Sequence, residues 1–448
     1  MQHFHFIGIG GIGMSALARI LLSQKIKVTG SDVAQSSIIE ALTLEGAHVH
    51  IGHAKGHVQK GATVVYNSMI NKDHPEFAEA LLLNCKILHR SDLLKMIGRS
   101  YKTLSVTGTH GKTTTSSLLT SVLKKALLDP AYAIGGILLE EEMNGGYGKG
   151  EYFVVEADES DASFLKYPTF GAIVTNIDDD HMDHYGSKMN LRNAFLQFME
   201  NVQEEDFLFW CRDDATLLTF AEKGISYGFK SNAELLGLNY RQEGWTCFFD
   251  VQFRGKKYVD VELSLVGRHQ ASNALAVFGM ALCLGVSEAV IRDAFKNFGG
   301  VGRRCEKKCD KNNVTILDDY AHHPTEIGTT LNGVRKAIGS NRLIAVFQPH
   351  RYSRTEHCLD QFGDAFNEAD EVIVTDLYGA FETPIPGINA EAVVKKIQEK
   401  SSVPCRFIPK KDLKLTLLAT IRPHDVVITL NAGDINKISA ELGEHFSR

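Results

Sequence analysis

No run of apolar residues in this 448-residue chain is long enough to span a bilayer. The apolar N-terminal stretch up to Leu22 lacks the basic start of a secretory leader, and its spaced glycines are not what such a leader needs. Disulfide-framework spacing is missing as well. Eight cysteines are scattered along the chain, as suits a reducing cytoplasm. One Cys305-x3-Cys309 pair has no second pair near it and reads as two ordinary thiols rather than a metal site. Basic charge is in deficit, 48 Lys and Arg against 54 Asp and Glu, which argues against nucleic acid as the main partner. Low-complexity segments, coiled-coil heptads and short-period repeats are absent. What remains is a globular protein of the cytoplasm, with length for about two to four domains.

What is present is a β/α alternation that restarts twice. "HFHFIGIGGIGMSALARILL" reads as strand, tight glycine turn and helix. A strand ending at Asp32, a helix over 37–44, a strand near Val49 and another in "ATVVYNSMI" follow. The pattern begins again at "YKTLSVTGTHGKTTTSSLLTSVLKKAL", with further strands in "EYFVVEADES" and "FGAIVTNIDDDHMDHYG". Residues 225–265 alternate like antiparallel strands, and a helix is expected from "RHQASNALAVFGMAL". After "GGVGRR" come four apolar runs closing on polar tips: "VTILDDYAHHPTE", "RLIAVFQPHRYSRT", "EVIVTDLY" and "DVVITLNAGD". The fold class is therefore α/β with parallel sheets and ligands at the carboxyl ends of strands. Boundaries near residues 99 and 304 divide the chain into 1–98, 99–303 and 304–448.

The second restart carries Gly108, Gly111, Lys112 and Thr113 between a strand and a helix. Backbone N–H groups at such a turn attract phosphate oxygens. Lys112 would reach the β- and γ-phosphates, and the Thr113 hydroxyl would ligate Mg2+. Two residues separate the glycines instead of the usual four, so a capped helix with a surface lysine is the competing reading. Metal ligands would come from Glu156, with Asp158, Glu159 and Asp161 after it, and from His181 among Asp178, Asp179, Asp180 and Asp183. In isolation such acidic tips are solvated. At strand ends in the sheet that carries Lys112 they would hold a nucleotide's metal. The first loop, Gly8-x-Gly10-Gly11-x-Gly13, with Asp32 closing the next strand, suits any pyrophosphate flanked by a ribose, whether NAD or a UDP-sugar. In the last segment His322, His323, His350, Arg351 and Arg354 lie on loops after strands, as carboxylate or phosphate clamps or as plain surface charge.

Read in order, "HFIGIGGIGMSALARIL", "GTHGKTTT", "EADESDASF", "TNIDDDHMDHYG", "GRHQASNALA", "GVGRR", "DDYAHHPTE" and "FQPHRYSRT" resemble the Mur ligases over essentially the whole chain. The closely spaced glycine loop is the Mur version of the phosphate cradle. The resemblance implies a Rossmann-like N-terminal domain for a UDP-sugar, a central P-loop ATPase-type domain and a Rossmann-like C-terminal domain for an amino acid. It also implies the branch that uses ATP and Mg2+ to join L-alanine to UDP-N-acetylmuramate in the cytoplasm, through an acyl phosphate. The sugar nucleotide would lie on Gly10, Gly11, Ile12, Gly13, Ser31, Asp32 and Ser68. ATP would lie on Gly108, Thr109, His110, Gly111, Lys112, Thr113 and Thr114. His269, Asn273, Arg304 and Asp319 would complete that site. Lys112, Glu156, His181, Asn273, Arg304 and Asp319 are the implied catalytic group, with Thr113, Glu156 and His181 on the metal. His322, His350, Arg351 and Arg354 would form the amino-acid end, with His322 a candidate for the ammonium proton. Gln270 stands where asparagine is common and Asn431 where glycine is usual. Glycines near 299–302 are expected hinges for domain closure. The chain ends at Arg448, with no D-alanine ligase expected behind it. Three other readings stay open: a recycling ligase that joins a tripeptide to the same sugar nucleotide, an NAD oxidoreductase resting on the first loop alone, and a P-loop binding module.

Overall fold

The computed structural model describes residues 2–380 and 382–447. Its strands form three sheets. The first holds β1 (His3–Ile7), β2 (Lys27–Asp32), β3 (His48–Ile51), β4 (Thr63–Tyr66) and β5 (Lys86–His89), all parallel in the order β3-β2-β1-β4-β5. The second comprises β6 (Lys102–Thr107), β7 (Ala131–Leu138), β8 (Met143–Gly146), β9 (Tyr152–Glu156), β10 (Gly171–Val174), β11 (Leu208–Cys211), β12 (Ile225–Gly228), β13 (Leu235–Glu243), β14 (Thr246–Phe253) and β15 (Lys256–Leu263). Their order is β15-β14-β13-β12-β11-β10-β6-β9-β7-β8. The third contains β16 (Glu306–Lys311), β17 (Val314–Asp319), β18 (Leu343–Gln348), β19 (Glu371–Val374), β20 (Cys405–Phe407) and β21 (Val426–Asn431), ordered β16-β17-β21-β18-β19-β20.

The inner strands are continuous apolar runs because helices cover both faces. Every residue of β10, β18 and β21 is buried. The expected helix at 37–44 is present as Ser37–Leu44, started by a Ser36 hydroxyl that accepts from the Ile39 N–H. Two elements escaped the sequence pattern. β7 and β8 form an antiparallel hairpin, and β16 is an antiparallel edge beside β17. The antiparallel expectation for 225–265 needs one correction. β12 pairs in parallel with both β11 and β13, since its buried "ISYG" run lies inside the sheet. β13, β14 and β15 follow as neighbours joined by two-residue turns, where Arg254 and Gly255 both take positive φ.

The chain packs into two compact units. One contains the residues up to Asn239 with Phe249–Val261 and Ser272–Gly299; the other contains Tyr240–Phe248, Glu262–Ala271 and the chain from Gly300 on.

Candidate active site

β6 feeds Gly108–Gly111, and the helix Lys112–Lys125 begins directly behind. Gly108 takes φ +132°, and a Cβ there would lie 2.1 Å from Thr175 Oγ1, so only glycine fits. Gly111 takes φ +84°, and a Cβ would press on the Asn273 amide at 2.9 Å. The implied Asn273 therefore stands against the loop. The loop is strapped to the end of β10. Asn176 pairs with both peptide groups of His110, accepting its N–H (2.8 Å) and donating to its C=O (3.0 Å). Thr175 donates to the same carbonyl at 2.7 Å, and His110 Nε2 lies 3.0 Å from Asp178 Oδ2. Thr109 Oγ1 accepts the Asp178 N–H at 2.9 Å, and Thr114 is buried in the first helical turn.

Lys112 folds back on this loop. Its ammonium donates to Gly108 O (2.6 Å), Thr109 O (3.0 Å) and Glu159 Oε1 (2.9 Å). Burial alone would push the lysine down, but Glu159, Asp158 and Glu156 outweigh it and raise its pKa. Breaking one side of such a buried pair costs about 3–5 kcal/mol, so the partner matters. Burial would raise the half-buried Asp158, but Arg90 at 2.7 Å and Lys112 outweigh it and hold its carboxyl well below the usual range.

Glu156 closes β9. One of its oxygens accepts from Thr113 Oγ1 (3.1 Å) and the other from the Gly135 N–H on β7 (2.7 Å). A Cβ at Gly135 would sit 2.6 Å from both carboxylate oxygens. His181, in the left-handed region at φ +58°, caps the short helix Met182–Tyr185. Its Nε2 is 3.6 Å from Glu159 Oε1 and 3.7 Å from Asp180 Oδ2. The Asp183 side chain lies outside the described residues. The donors are hard oxygens plus one imidazole, and a glycine cradle seats the carboxylate. Among the described residues, Glu156, Glu159 and His181 do not bring their donor atoms within 4.8 Å of one another. That set fits Mg2+, which takes one or two protein carboxylates and completes its shell with phosphate and water.

The first glycine loop follows β1. Gly8 takes φ +77°, and the N–H groups of Gly8 and Ile9 donate to Ser31 O. Gly10 N donates to Asp32 Oδ2 at 2.9 Å, and a Cβ at Gly10 would meet that oxygen at 3.0 Å. Gly11 caps the helix Ile12–Ser23, and Gly13 leaves room for the Arg90 guanidinium. Ser31 is fully buried and its hydroxyl donates to Glu76 at 2.6 Å. Ser68 is exposed and donates to Asp161 at 2.7 Å.

The helix Arg268–Cys283 carries both His269 and Asn273. The His269 ring lies close against Gly267, and burial pushes its pKa down to about 4. In the second unit, Asp319 closes β17 and accepts the N–H groups of Cys305 and Ala321, both at 2.7 Å. Burial raises its carboxyl to about 6 against the pull of Arg304. The Arg304 guanidinium lies 5.2 Å from the Tyr320 ring centre. His322 stands 6.1 Å from His350, ring to ring, and Arg354 Nη1 is 3.4 Å from His350 Nδ1. Burial, then His322 and Arg354, push His350 down to about 3, so it is neutral at pH 7. Arg351 is tied elsewhere: its N–H donates to Tyr378 O and its side chain lies 3.9 Å from Glu382. Asn431 is buried; it accepts twice from Arg303 (2.6 and 2.7 Å) and donates to Asp318 at 3.3 Å.

Lys112, Thr113, Glu156, His181 and Asn273 thus belong to the first unit, and Arg304, Asp319, His322, His350, Arg351 and Arg354 to the second. Sequence reasoning missed Asn176, Arg90, Gly135 and Tyr378, and did not single out Glu159 from its acidic neighbours. Only Gly135 carried a signal, since a glycine inside a strand marks close approach of another group.

Three family models match in succession: "Mur ligase family, catalytic domain" over residues 3–102, "Mur ligase middle domain" over 106–281 and "Mur ligase, glutamate ligase domain" over 303–433. The UDP-N-acetylmuramate–L-alanine ligase of Protochlamydia amoebophila is 51% identical over 440 residues, 98% of this chain and 97% of that protein. The bifunctional MurC/Ddl enzyme of Chlamydia caviae is 43% identical over 98% of this chain, which spans 54% of that longer protein. Among solved structures, UDP-N-acetylmuramate-alanine ligase MurC from Thermotoga maritima superposes with a TM-score of 0.88 at 27% identity, covering 100% of this chain and 99% of that one. A murein peptide ligase from Psychrobacter arcticus shares the fold with a TM-score of 0.73 at 22% identity, over 99% and 98% of the two chains. With the closely spaced glycine loop, its lysine and the acidic strand ends matched from one end to the other, the chain belongs to the Mur ligase family.

Proposed function

We propose that this protein is an ATP-dependent ligase that joins L-alanine to the lactyl carboxylate of UDP-N-acetylmuramate, the first peptide step of peptidoglycan precursor synthesis. The observation that carries the reading is the Lys112 loop, self-held beside Glu156 and Glu159, in a chain 51% identical to a ligase of that name. The work divides over residues 1–98 for the sugar nucleotide, 99–303 for ATP and 304–448 for the amino acid. Eight cysteines, with no disulfide among the described residues, support a cytoplasmic setting.

In this reading the lactyl carboxylate oxygen attacks the γ-phosphorus of ATP. The bond to the β-phosphate oxygen breaks, ADP leaves and an acyl phosphate forms. Lys112 offsets charge on the transferring group, and loop N–H groups hold the phosphates. Thr113, Glu156 and His181 would hold Mg2+, which when bound lowers the charge on the phosphates. Arg304 and Asp319 are assigned to the nucleotide, with Asn273 against the loop. The neutral amine of L-alanine then attacks the acyl carbon, phosphate leaves and the amine proton goes to a base. Arg351 and Arg354 suit the amino-acid carboxylate. His322 is the proposed proton acceptor, its Nδ1 already engaged with Tyr320 O at 2.8 Å.

The test is phosphate release from ATP and Mg2+ with UDP-N-acetylmuramate fixed and the second substrate varied. Release that requires L-alanine, and drops by about 10²–10³-fold in Lys112→Ala, is the expected result. Release only with a tripeptide would move the assignment to the recycling reaction.

A further inference from the structure

All three ammonium protons of Lys112 are already taken, by two carbonyls of its own loop and by Glu159. A phosphate that claims Lys112 must displace at least one of these partners. The carbonyls are neutral and lie at the phosphate cradle itself. Glu159 differs from them, because it is a fully buried carboxyl whose ionised form depends on Lys112, with burial pushing its pKa up to about 7 against that pull. Among the described residues, Lys112 is the cationic side chain within hydrogen-bond distance of it. Its acidic neighbours have partners besides that lysine. Asp158 has Arg90, and Glu156 has the Thr113 hydroxyl and the Gly135 N–H. The buried Tyr185 donates its hydroxyl to the Glu159 main-chain carbonyl at 2.5 Å, which ties the backbone of Glu159 in place. Moving Lys112 onto a phosphate therefore leaves the ionised form of this buried carboxyl without its counter-charge, which is disfavoured unless a proton or another cation replaces the lysine. His181 Nε2 lies 3.6 Å from Oε1, the oxygen that also accepts from Lys112.

We infer that Glu159 is a positioning residue that makes transfer of Lys112 to a bound triphosphate conditional on the arrival of a divalent cation. The inference rests on the reading that residues 108–113 bind ATP. It assigns to one buried carboxylate the task of keeping metal-free nucleotide out of the cradle, and of holding Lys112 on its loop until the metal-bound form arrives.

The test is calorimetric titration of ATP into the whole chain, with EDTA or with Mg2+, for wild type, Glu159→Gln and Glu159→Asp. Wild type is expected to bind about tenfold or more tightly with Mg2+. In Glu159→Gln the metal-free affinity rises and that ratio falls about fivefold or more. Glu159→Asp keeps the charge and so keeps the ratio. A ratio unchanged to within about twofold in Glu159→Gln, with both proteins binding ATP, overturns the inference. Absence of ATP binding in wild type, with and without metal, would instead overturn the nucleotide reading. A second arm does not depend on Glu159→Gln folding. Mn2+ alone, followed by electron paramagnetic resonance, should bind Lys112→Met about tenfold more tightly than wild type, because Glu159 is then uncompensated. Equal Mn2+ affinity in the two proteins counts against the inference.

Discussion

At the scale of single residues, two positions lend themselves to direct tests. Gly135 brings its N–H within 2.7 Å of Glu156, and a methyl group there would collide with both carboxylate oxygens. Gly135→Ala is expected to displace the carboxylate and weaken Mg2+-dependent turnover about 10–100-fold, seen as a raised Mg2+ requirement in phosphate release. Glu76 is the second. It lies fully buried under the first glycine loop and accepts from Ser31 (2.6 Å), His57 (2.8 Å) and His5 (3.2 Å). Burial pushes its carboxyl up, but the hydrogen bonds from His5, Ser31 and His57 outweigh it and hold it at about 2. A carboxyl with a depressed folded pKa adds stability above its unfolded value of 4.5, and that stability is lost as pH falls toward about 2. Glu76→Gln should therefore be less stable than wild type by roughly 3 kcal/mol at pH 7. Thermal melts should find the gap closing between about pH 5 and pH 2. A gap independent of pH would assign the loss to packing.

At the scale of elements, the β7–β8 hairpin joins the two glycine loops of the first unit. β7 supplies the Gly135 N–H to Glu156, while Asn144 on β8 grips the helix behind the first loop. Its amide donates to Ile12 O at 2.5 Å and Ser15 Oγ at 2.9 Å, and its carbonyl accepts from Arg19 at 2.8 Å. Gly145 next to it packs directly on the backbone of Ala16, with no room for a side chain. Arg19 is nearly fully buried, so Asn144→Ala leaves a charged donor short of an acceptor. The expected loss is about 1–3 kcal/mol, read as a lower urea midpoint at unchanged slope. The Michaelis constant for the sugar nucleotide should rise with it, because the Ile12 turn loses its anchor. In the second unit, the loop that leads into β16 takes positive φ at Arg303 and Cys305. Asn431 and Asp318 brace that strained stretch through the Arg303 guanidinium. The asparagine that departs from the family's glycine thus has a structural task here.

At the scale of the whole molecule, two compact units each bury an extensive core of their own. A chain built that way is not expected to melt in one step. Scanning calorimetry should give a calorimetric enthalpy larger than the van't Hoff value. ATP with Mg2+ should move chiefly the transition of the unit that carries the Lys112 loop, by about 2.7 kcal/mol at a hundredfold excess over Kd. One symmetrical transition that shifts as a whole would mean that the units unfold together.

Most of the α/β alternation, the two glycine loops and the acidic strand ends could be read from the chain because each rests on local rules. Apolar periodicity sets strand or helix, and glycine spacing sets where the backbone can close around a phosphate. The carboxylate that serves Lys112 was beyond such rules. Glu156, Asp158, Glu159 and Asp161 are alike in sequence, and the lysine lies 47 residues from the one it takes. Only the placement of β9 beside β6 puts Glu159 at the ammonium and gives Asp158 to Arg90, 68 residues away. The hairpin and the β16 edge were hidden for the same reason, since antiparallel partners are chosen by what the sheet leaves unpaired. The local pattern of the chain determined what kinds of groups line the site. The long-range pairing of strands decided which of them meet, because hydrogen bonds and ion pairs depend on distance in space rather than along the chain.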